Sequence, residues 1–509
     1  RSGTFATSYD RFLLVMWVRF QKLPLAISIP TLLIVMMIIP SVHGFISGDS
    51  HEGRSFFYAV LMGLFGLSFL GFSLQGTVFP MHRHARLWSL ISFFLGFPIL
   101  LAIPLYEVSG AGGFIDAYLD IVSTVTTTGL PVFAPGSLSE TLVIWRVSLG
   151  WASGFLIWVF AWSIFAPLNL GGFEHLGARG EAMTQSQSAR QTAGRLPAEK
   201  FWREAHRLGP VYLWITLVAA LALLIVSGDP TYAILRAMAT IATFGIEIPG
   251  HAGVGGVSGE VILAFVMLFA LSRSTFSTVF ARARKWRMTE DPELRVAAGL
   301  VLVAALVLIG QGARYVEGLG AGLELIWGAF FTSLSFLTTT GLASEFLPSG
   351  LVTLDPVEII LVALAMIGGG VATTAGGIKL LRVFILAGHS QAEVDRLTAP
   401  SQVISGQIES RSHDHHSAML ACVFLVLFIL VLGATTLALT LTGSPVKESL
   451  YLTLATVTNT GPLLPTGDGT QTLVMALPTQ AKMILAAAMV LGRLEVLALL
   501  ALLNPDIYR

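Results

Sequence analysis

Four segments join small hydroxyl residues to a closing glycine: Thr126-Thr127-Thr128-Gly129, Ala242-Thr243-Phe244-Gly245, Thr338-Thr339-Thr340-Gly341 and Thr458-Asn459-Thr460-Gly461. A backbone rich in such residues can line an axis with carbonyl oxygens, and rings of carbonyls replace the water shell of a potassium ion. One copy carries little weight, because threonine is common near helix ends and glycine commonly follows them. Four copies in an apolar chain carry more, since non-helical backbone at membrane depth must be buried in protein or line a cavity. The expected site is therefore a selectivity filter with potassium at the carbonyls of the four loops. The copies are unequal: Phe244 stands where the others have threonine, Glu247 follows the second copy, and the fourth has Asn459 and Pro462. The ring is expected to be pseudo-fourfold, and an outward-turned Phe244 is tolerable if backbone carbonyls coordinate.

Two further features suit control of a pore. Gly368-Gly369-Gly370-Val371-Ala372-Thr373-Thr374-Ala375-Gly376-Gly377 interrupts an otherwise long apolar helix from Glu358 to Phe384, and five glycines in ten residues argue against regular helix. Two readings stay open: close helix packing by small residues, or a flexible intramembrane loop, ending near Lys379, that acts as a gate. Arg493, with Glu495, lies within the last apolar run. A charge at that depth is costly and faces a water-filled path or a partner; facing the pore, Arg493 would repel cations below the filter. A snorkelling or ion-paired structural arginine is the alternative. His413-Asp414-His415-His416 reads as a solvated flank at the entrance to a span rather than a metal site. No nucleophile elbow is present, and no enzyme activity is expected.

The elements that must position these residues follow from composition. With 54% hydrophobic and 12% charged residues and a mean hydropathy of +0.77, the chain carries about half the charge of a soluble domain and belongs in a bilayer. Zero formal net charge and the lack of a long basic run give no support to a nucleic-acid partner. The single Cys422 excludes an intrachain disulfide. A span needs about 20 apolar residues, and ten such stretches are expected near 24–44, 55–78, 87–106, 141–167, 208–227, 259–280, 296–315, 356–387, 418–442 and 480–503. The first lacks a small-x-small cleavage site, so a signal peptide is not expected.

Basic residues fill alternate loops: Arg11, Arg19 and Lys22; His82, Arg83, His84 and Arg86; Arg179 to Arg207; and Arg282 to Arg295. Those loops, and both termini, are expected to be cytoplasmic. The other loops hold Glu107, Asp116, Asp120, Glu140, Asp229 and Glu260 among others, and all four glycine-terminated segments. Each also holds an apolar stretch of roughly 10 to 15 residues, too short to span and suited to a re-entrant helix. The expected fold is an all-α polytopic membrane protein: a two-span leader (1–80), then four helix–pore loop–helix units (81–172, 173–285, 286–390 and 391–509) around a pseudo-fourfold central pore. Helices that point their C-terminal ends inward favour a cation.

At this point the chain resembles the TrkH/TrkG/KtrB/HKT superfamily of potassium transporters over residues 87 to 503, and its leading spans resemble the extra pair of the TrkH branch. The resemblance rests on the four filter segments in order, Trp145-Arg146 to Trp151-Ala152-Ser153-Gly154, Asp291-Pro292-Glu293-Leu294-Arg295, the loop from Gly368 to Lys379, and Gly492-Arg493-Leu494-Glu495. It implies a homodimer with one pore per subunit, in a bacterial inner membrane, and a cytosolic TrkA/KtrA-type nucleotide-binding partner. It further implies a gate formed by Gly368, Gly369, Gly370, Thr373, Thr374, Gly376, Gly377 and Lys379, with Arg493 narrowing the path. The departures are Phe244, and Ala152-Ser153 where glycines are often found. Transport could be channel-like or coupled to sodium or protons. A secondary carrier for another solute, or a potassium sensor without flux, would share many of these features.

Overall fold

The computed structural model describes residues 25–73, 90–110, 112–134, 136–166, 197–248, 255–271, 291–348, 350–352, 355–398, 408–463 and 474–495. The basic clusters at 1–24, at 82–86 and at 282–290 and most of the 173–207 loop lie outside these residues. So do the side chains of His413 to His416, although Ile408–Leu441 is helical there. Among the described residues no group of three or more His, Cys, Asp and Glu could hold a metal ion.

The described residues are mostly helical. Two leading helices, α1 (Leu25–Ile46) and α2 (Ser50–Ser73), are both long and apolar enough to cross a membrane. There follow α3 (Ser92–Ser109), α4 (Phe114–Val125), α5 (Glu140–Phe165), α6 (Pro197–Ser227), α7 (Pro230–Ile241) and α8 (Gly256–Ala270). The remainder comprises α9 (Pro292–Tyr315), α10 (Leu319–Leu337), α11 (Asp355–Ile367), α12 (Leu380–Thr398), α13 (Ile408–Leu441), α14 (Val446–Val457) and α15 (Thr479–Leu494). Local signals set several starts. Ser139, Asp229 and Asp291 each cap a helix by accepting a backbone N–H, from Leu142, Tyr232 and Glu293, which satisfies donors that the first turn leaves unpaired.

Eight described helices meet the length and apolarity of a membrane span, and the chain is an integral membrane protein. Seven of them coincide with expected spans. Three other expected spans differ. Helix α8 has only 15 residues to Ala270 and α15 only 16, with 272–280 and 496–503 outside the described residues. The stretch 356–387 is two helices, α11 and α12, separated by the glycine-rich segment. The eighth candidate is α10, whose 19 residues from Leu319 to Leu337 exceed the roughly 10 to 15 expected of the re-entrant stretch in that loop.

Packing closes these helices into a ring. Helix α5 packs on α7, α8 on α10, α12 on α13, and α15 returns to α4. The leader docks on the outside of this ring, α1 against α5 and α2 against α3. Helices α4, α7, α10 and α14 each run into one of the four glycine-terminated segments.

Candidate functional site: four converging helix ends

The four segments share one backbone conformation. In each, the second residue lies in the left-handed region: Thr127 (φ 51°), Thr243 (φ 51°), Thr339 (φ 58°) and Asn459 (φ 53°). The amide of the third residue donates to the carbonyl five residues back, Thr128 to Ser123 (2.7 Å), Phe244 to Ala239 (2.9 Å), Thr340 to Ser335 (2.9 Å) and Thr460 to Ala455 (2.9 Å). The amide of the second residue donates to the carbonyl three back, at 3.0, 3.0, 3.1 and 3.3 Å. This double bond pattern is the Schellman helix stop. The residue that ends each helix is thus a threonine or asparagine rather than the glycine. A β-branched residue there is a true outlier, and such strain, on the order of 1–3 kcal/mol per residue, persists only where surrounding structure enforces it.

The glycines serve two separate needs. Gly129 (φ 74°) and Gly341 (φ 76°) adopt left-handed backbone, which a Cβ disfavours. Gly245 and Gly461 are needed for close approach: a carbon added to Gly245 would sit 1.9 Å from Thr340 O, and one added to Gly461 would sit 2.3 Å from Gly129 O. Carbons added to Gly129 and Gly341 would meet Gly245 O at 3.1 Å and Pro462 Cβ at 2.9 Å. Each segment therefore touches the next, first to second, second to third, third to fourth and fourth to first. The seam between fourth and first is hydrogen-bonded, Gly461 N to Thr128 O (2.7 Å) and Asn459 Nδ2 to Thr128 Oγ1 (2.9 Å).

The segments differ in how they are supported. In the first and third segments a serine hydroxyl accepts the amide after the glycine, Ser123 from Leu130 (2.7 Å) and Ser335 from Leu342 (2.6 Å). The equivalent positions in the second and fourth are Ala239 and Ala455. There the second segment is held by Arg236, which donates to Ile246 O (3.1 Å). Phe244 is buried and turned outward onto Gly150 of α5, where an added carbon would lie 2.8 Å from Phe244 Cδ1. All of Thr126, Thr127, Thr128, Thr338, Thr339, Thr340, Thr458, Asn459 and Thr460 are fully buried.

The glycine-rich segment and Arg493 sit against all four helix ends. Arg493 Nε donates to Thr126 O (2.7 Å), and Nη2 to Thr127 Oγ1, while Nη1 donates to Thr374 O (2.6 Å). Thr374 O also accepts from Thr243 Oγ1 (3.0 Å), and the Thr374 hydroxyl donates to Ile241 O (3.3 Å). Gly376 N donates to Thr339 Oγ1 (2.8 Å), and a carbon added to Gly376 would lie 2.0 Å from Thr458 O. The segment is pinned on its far side: Gly370 N to Ala270 O (3.0 Å), Val371 N to Glu293 Oε1 (3.0 Å), Lys379 N to Ile367 O (2.8 Å) and Leu380 N to Gly369 O (3.0 Å). Lys379 Nζ donates to Ala375 O, while Gly368 (φ 71°) and Gly377 (φ 76°) make its bends. Thr373 Oγ1 closes on Gly370 O at 2.7 Å. A cavity of about 30 Å³ beside it is lined by Lys379, Arg493 and Glu495.

Several residues here escaped the sequence reading. Asp120 and Asp116, expected among the acids of outer loops, are buried in α4: Asp120 pairs with Arg146 of α5 (2.6 Å) and Asp116 with Lys482 of α15 (2.5 Å). Glu260, also expected in a loop, is in α8 and accepts from Trp327 Nε1 (2.8 Å) and Ser344 Oγ (2.7 Å). Such buried carboxylates need paired donors to be tolerated. Glu495 pairs with Arg382 (2.7 Å), whose guanidinium also lies 3.8 Å over the Phe424 ring, and not with Arg493. Charge alternation along a sequence marks loops, and gives no sign of which charges fold inward to partners.

A family model described as TrkH, cation transport protein, matches residues 329–505. The Trk system potassium uptake protein TrkH of Escherichia coli (strain K12) is 29% identical over 406 residues, 77% of this chain and 79% of that protein. The protein of the same name from Halomonas elongata is 27% identical over 440 residues, 84% of this chain and 85% of its own. The crystal structure of the potassium transporter TrkH from Vibrio parahaemolyticus superposes with a TM-score of 0.78 at 22% identity, over 96% of this chain and 99% of that one, a likeness of fold. The family model, both relatives and the fold are thus similarities to proteins named TrkH.

Proposed function

We propose that this chain carries potassium uptake across a bacterial inner membrane, through a filter built of the four converging segments. The observation that supports it is the closed ring of strained helix ends, each touching the next through its glycine. Four helix C-termini, each worth about half a negative charge, favour a cation at their meeting point, and carbonyls held by the surrounding bonds can take the place of its water. The unit boundaries at 81–172, 173–285, 286–390 and 391–509 describe this pore, with 1–80 as its leader.

Beneath the filter, the Gly368–Lys379 segment and Arg493 form the gate. Arg493 places a positive charge on the carbonyls of the first segment, so a cation leaving the filter meets both a steric and an electrostatic barrier. Gating is controlled by a cytosolic TrkA/KtrA-type nucleotide-binding subunit, and the protein works as a homodimer with its termini in the cytoplasm. A potential of 100 mV is worth about 2.3 kcal/mol per charge, which alone concentrates potassium about fifty-fold. Conduction down the electrochemical gradient therefore suffices energetically.

Rubidium uptake into liposomes holding the purified protein, with potassium and sodium as competitors, tests the proposal. Competition by potassium well ahead of sodium is the expected result; absence of cation uptake with the regulatory subunit and nucleotide present would refute it.

A further inference from the structure

The second residue of each filter copy is the strained one, and its side chain faces the gate rather than the neighbouring segment in three of the four copies. Thr127 Oγ1 accepts from Arg493, Thr339 Oγ1 accepts from Gly376 N (2.8 Å), and Thr243 Oγ1 shares its one proton between Thr374 O (3.0 Å) and its own segment's Ala242 O (2.7 Å). The fourth copy differs in kind: Asn459 Nδ2 donates to Met489 O (3.0 Å), one turn before Arg493 on α15, and to Thr128 Oγ1 (2.9 Å). Glycine or asparagine would fit left-handed backbone with less strain, yet three copies carry threonine. A hydroxyl serves where the gate presents both donors, the Arg493 guanidinium and the Gly376 amide, and an acceptor, Thr374 O.

We infer that Thr127, Thr243 and Thr339 are the catch of the gate: their hydroxyls hold the glycine-rich loop and Arg493 in the closed position, and are not ligands of the transported ion. This rests on the transport reading above and assigns within it a positioning role to side chains whose carbonyls belong to the filter. Opening must then break these hydrogen bonds together, which links loop movement to the backbone that carries the filter carbonyls. Asn459 instead anchors α15 one turn before Arg493, through Met489 O.

The test uses Thr339→Val and Thr243→Val in the full-length protein, which keep the β-branched shape and remove only the hydroxyl. Two readouts are taken: amide hydrogen exchange of residues 368–379, and rubidium uptake. Loss of one catch bond is expected to speed exchange and raise basal uptake by up to about tenfold. Thr339→Ser, which restores a hydroxyl, should reverse both changes relative to Thr339→Val. Exchange that stays at the wild-type rate overturns the catch. Slower uptake in Thr339→Val also overturns it, because release of a catch can only ease opening. A wild-type protein that passes no rubidium contradicts the transport function, whereas the exchange of the loop still decides whether the hydroxyls hold it.

Discussion

Gly150 on α5 lies directly under the ring of Phe244: a carbon added to the glycine would come within 2.8 Å of Phe244 Cδ1 and 3.1 Å of Cε1. The absence of a side chain at one position is what lets the second segment turn its bulkiest residue away from its three partners. Gly154, one turn further along, does the same for Ala242, whose Cβ would be 2.8 Å from an added carbon.

Gly150→Leu should therefore push Phe244 toward the ring and distort the second segment. Overpacking of this kind costs about 1–3 kcal/mol, so a lowered melting temperature and a reduced potassium-over-sodium preference are expected together. Phe244→Leu in the same protein should recover part of both, and a double-mutant cycle on stability measures the coupling. Additive effects of the two substitutions would contradict the contact.

Gly341→Ala should weaken potassium preference, because the position combines φ 76° with Pro462 carbons at 2.9 to 3.1 Å from an added Cβ. Left-handed backbone costs a non-glycine residue about 1–2 kcal/mol, equivalent to roughly tenfold in an equilibrium. Competition of sodium against rubidium uptake measures the change. Gly310→Ala on α9, where an added carbon meets nothing within 4 Å, is the control and should leave preference unaltered.

Arg382 and Glu495 join the start of α12 to the end of α15, three residues after Lys379 and two after Arg493. Glu495→Ala leaves the Arg382 guanidinium buried without its carboxylate, and breaking a buried pair in this way costs about 3–5 kcal/mol. A large fall in thermal stability and raised basal uptake are expected. Replacing both partners by Met and Leu should recover stability while leaving the gate easier to open. A stable Glu495→Ala protein with wild-type basal uptake would show that the pair plays no part in closure.

Much of the site was legible in the sequence because its parts are chemically conspicuous. Four Thr/Gly segments, a run with five glycines and an arginine in the last apolar stretch stand out against 54% hydrophobic residues. The geometry was less legible. Sequence logic gave special backbone to the glycines, whereas the conformation common to all four copies belongs to Thr127, Thr243, Thr339 and Asn459. Local propensity argues against threonine in that conformation, and such conflicts between local and global preference concentrate at functional positions. The pairs Asp120–Arg146, Asp116–Lys482 and Arg382–Glu495 were hidden for another reason: their partners are 26, 366 and 113 residues apart, and only the packing of separate helices brings them together. The supports at Ser123 and Ser335 do leave a trace, a serine six residues before the glycine of the first and third segments alone.

The central claim is that four unequal segments form one potassium-selective path. Its most direct measurement is the reversal potential of the wild-type protein in a planar bilayer with potassium on one side and sodium on the other. A reversal potential displaced strongly toward the potassium equilibrium value, and moved back toward zero by Gly341→Ala, is the predicted result. A potential at zero in the wild type, or one that Gly341→Ala leaves in place, would contradict the claim.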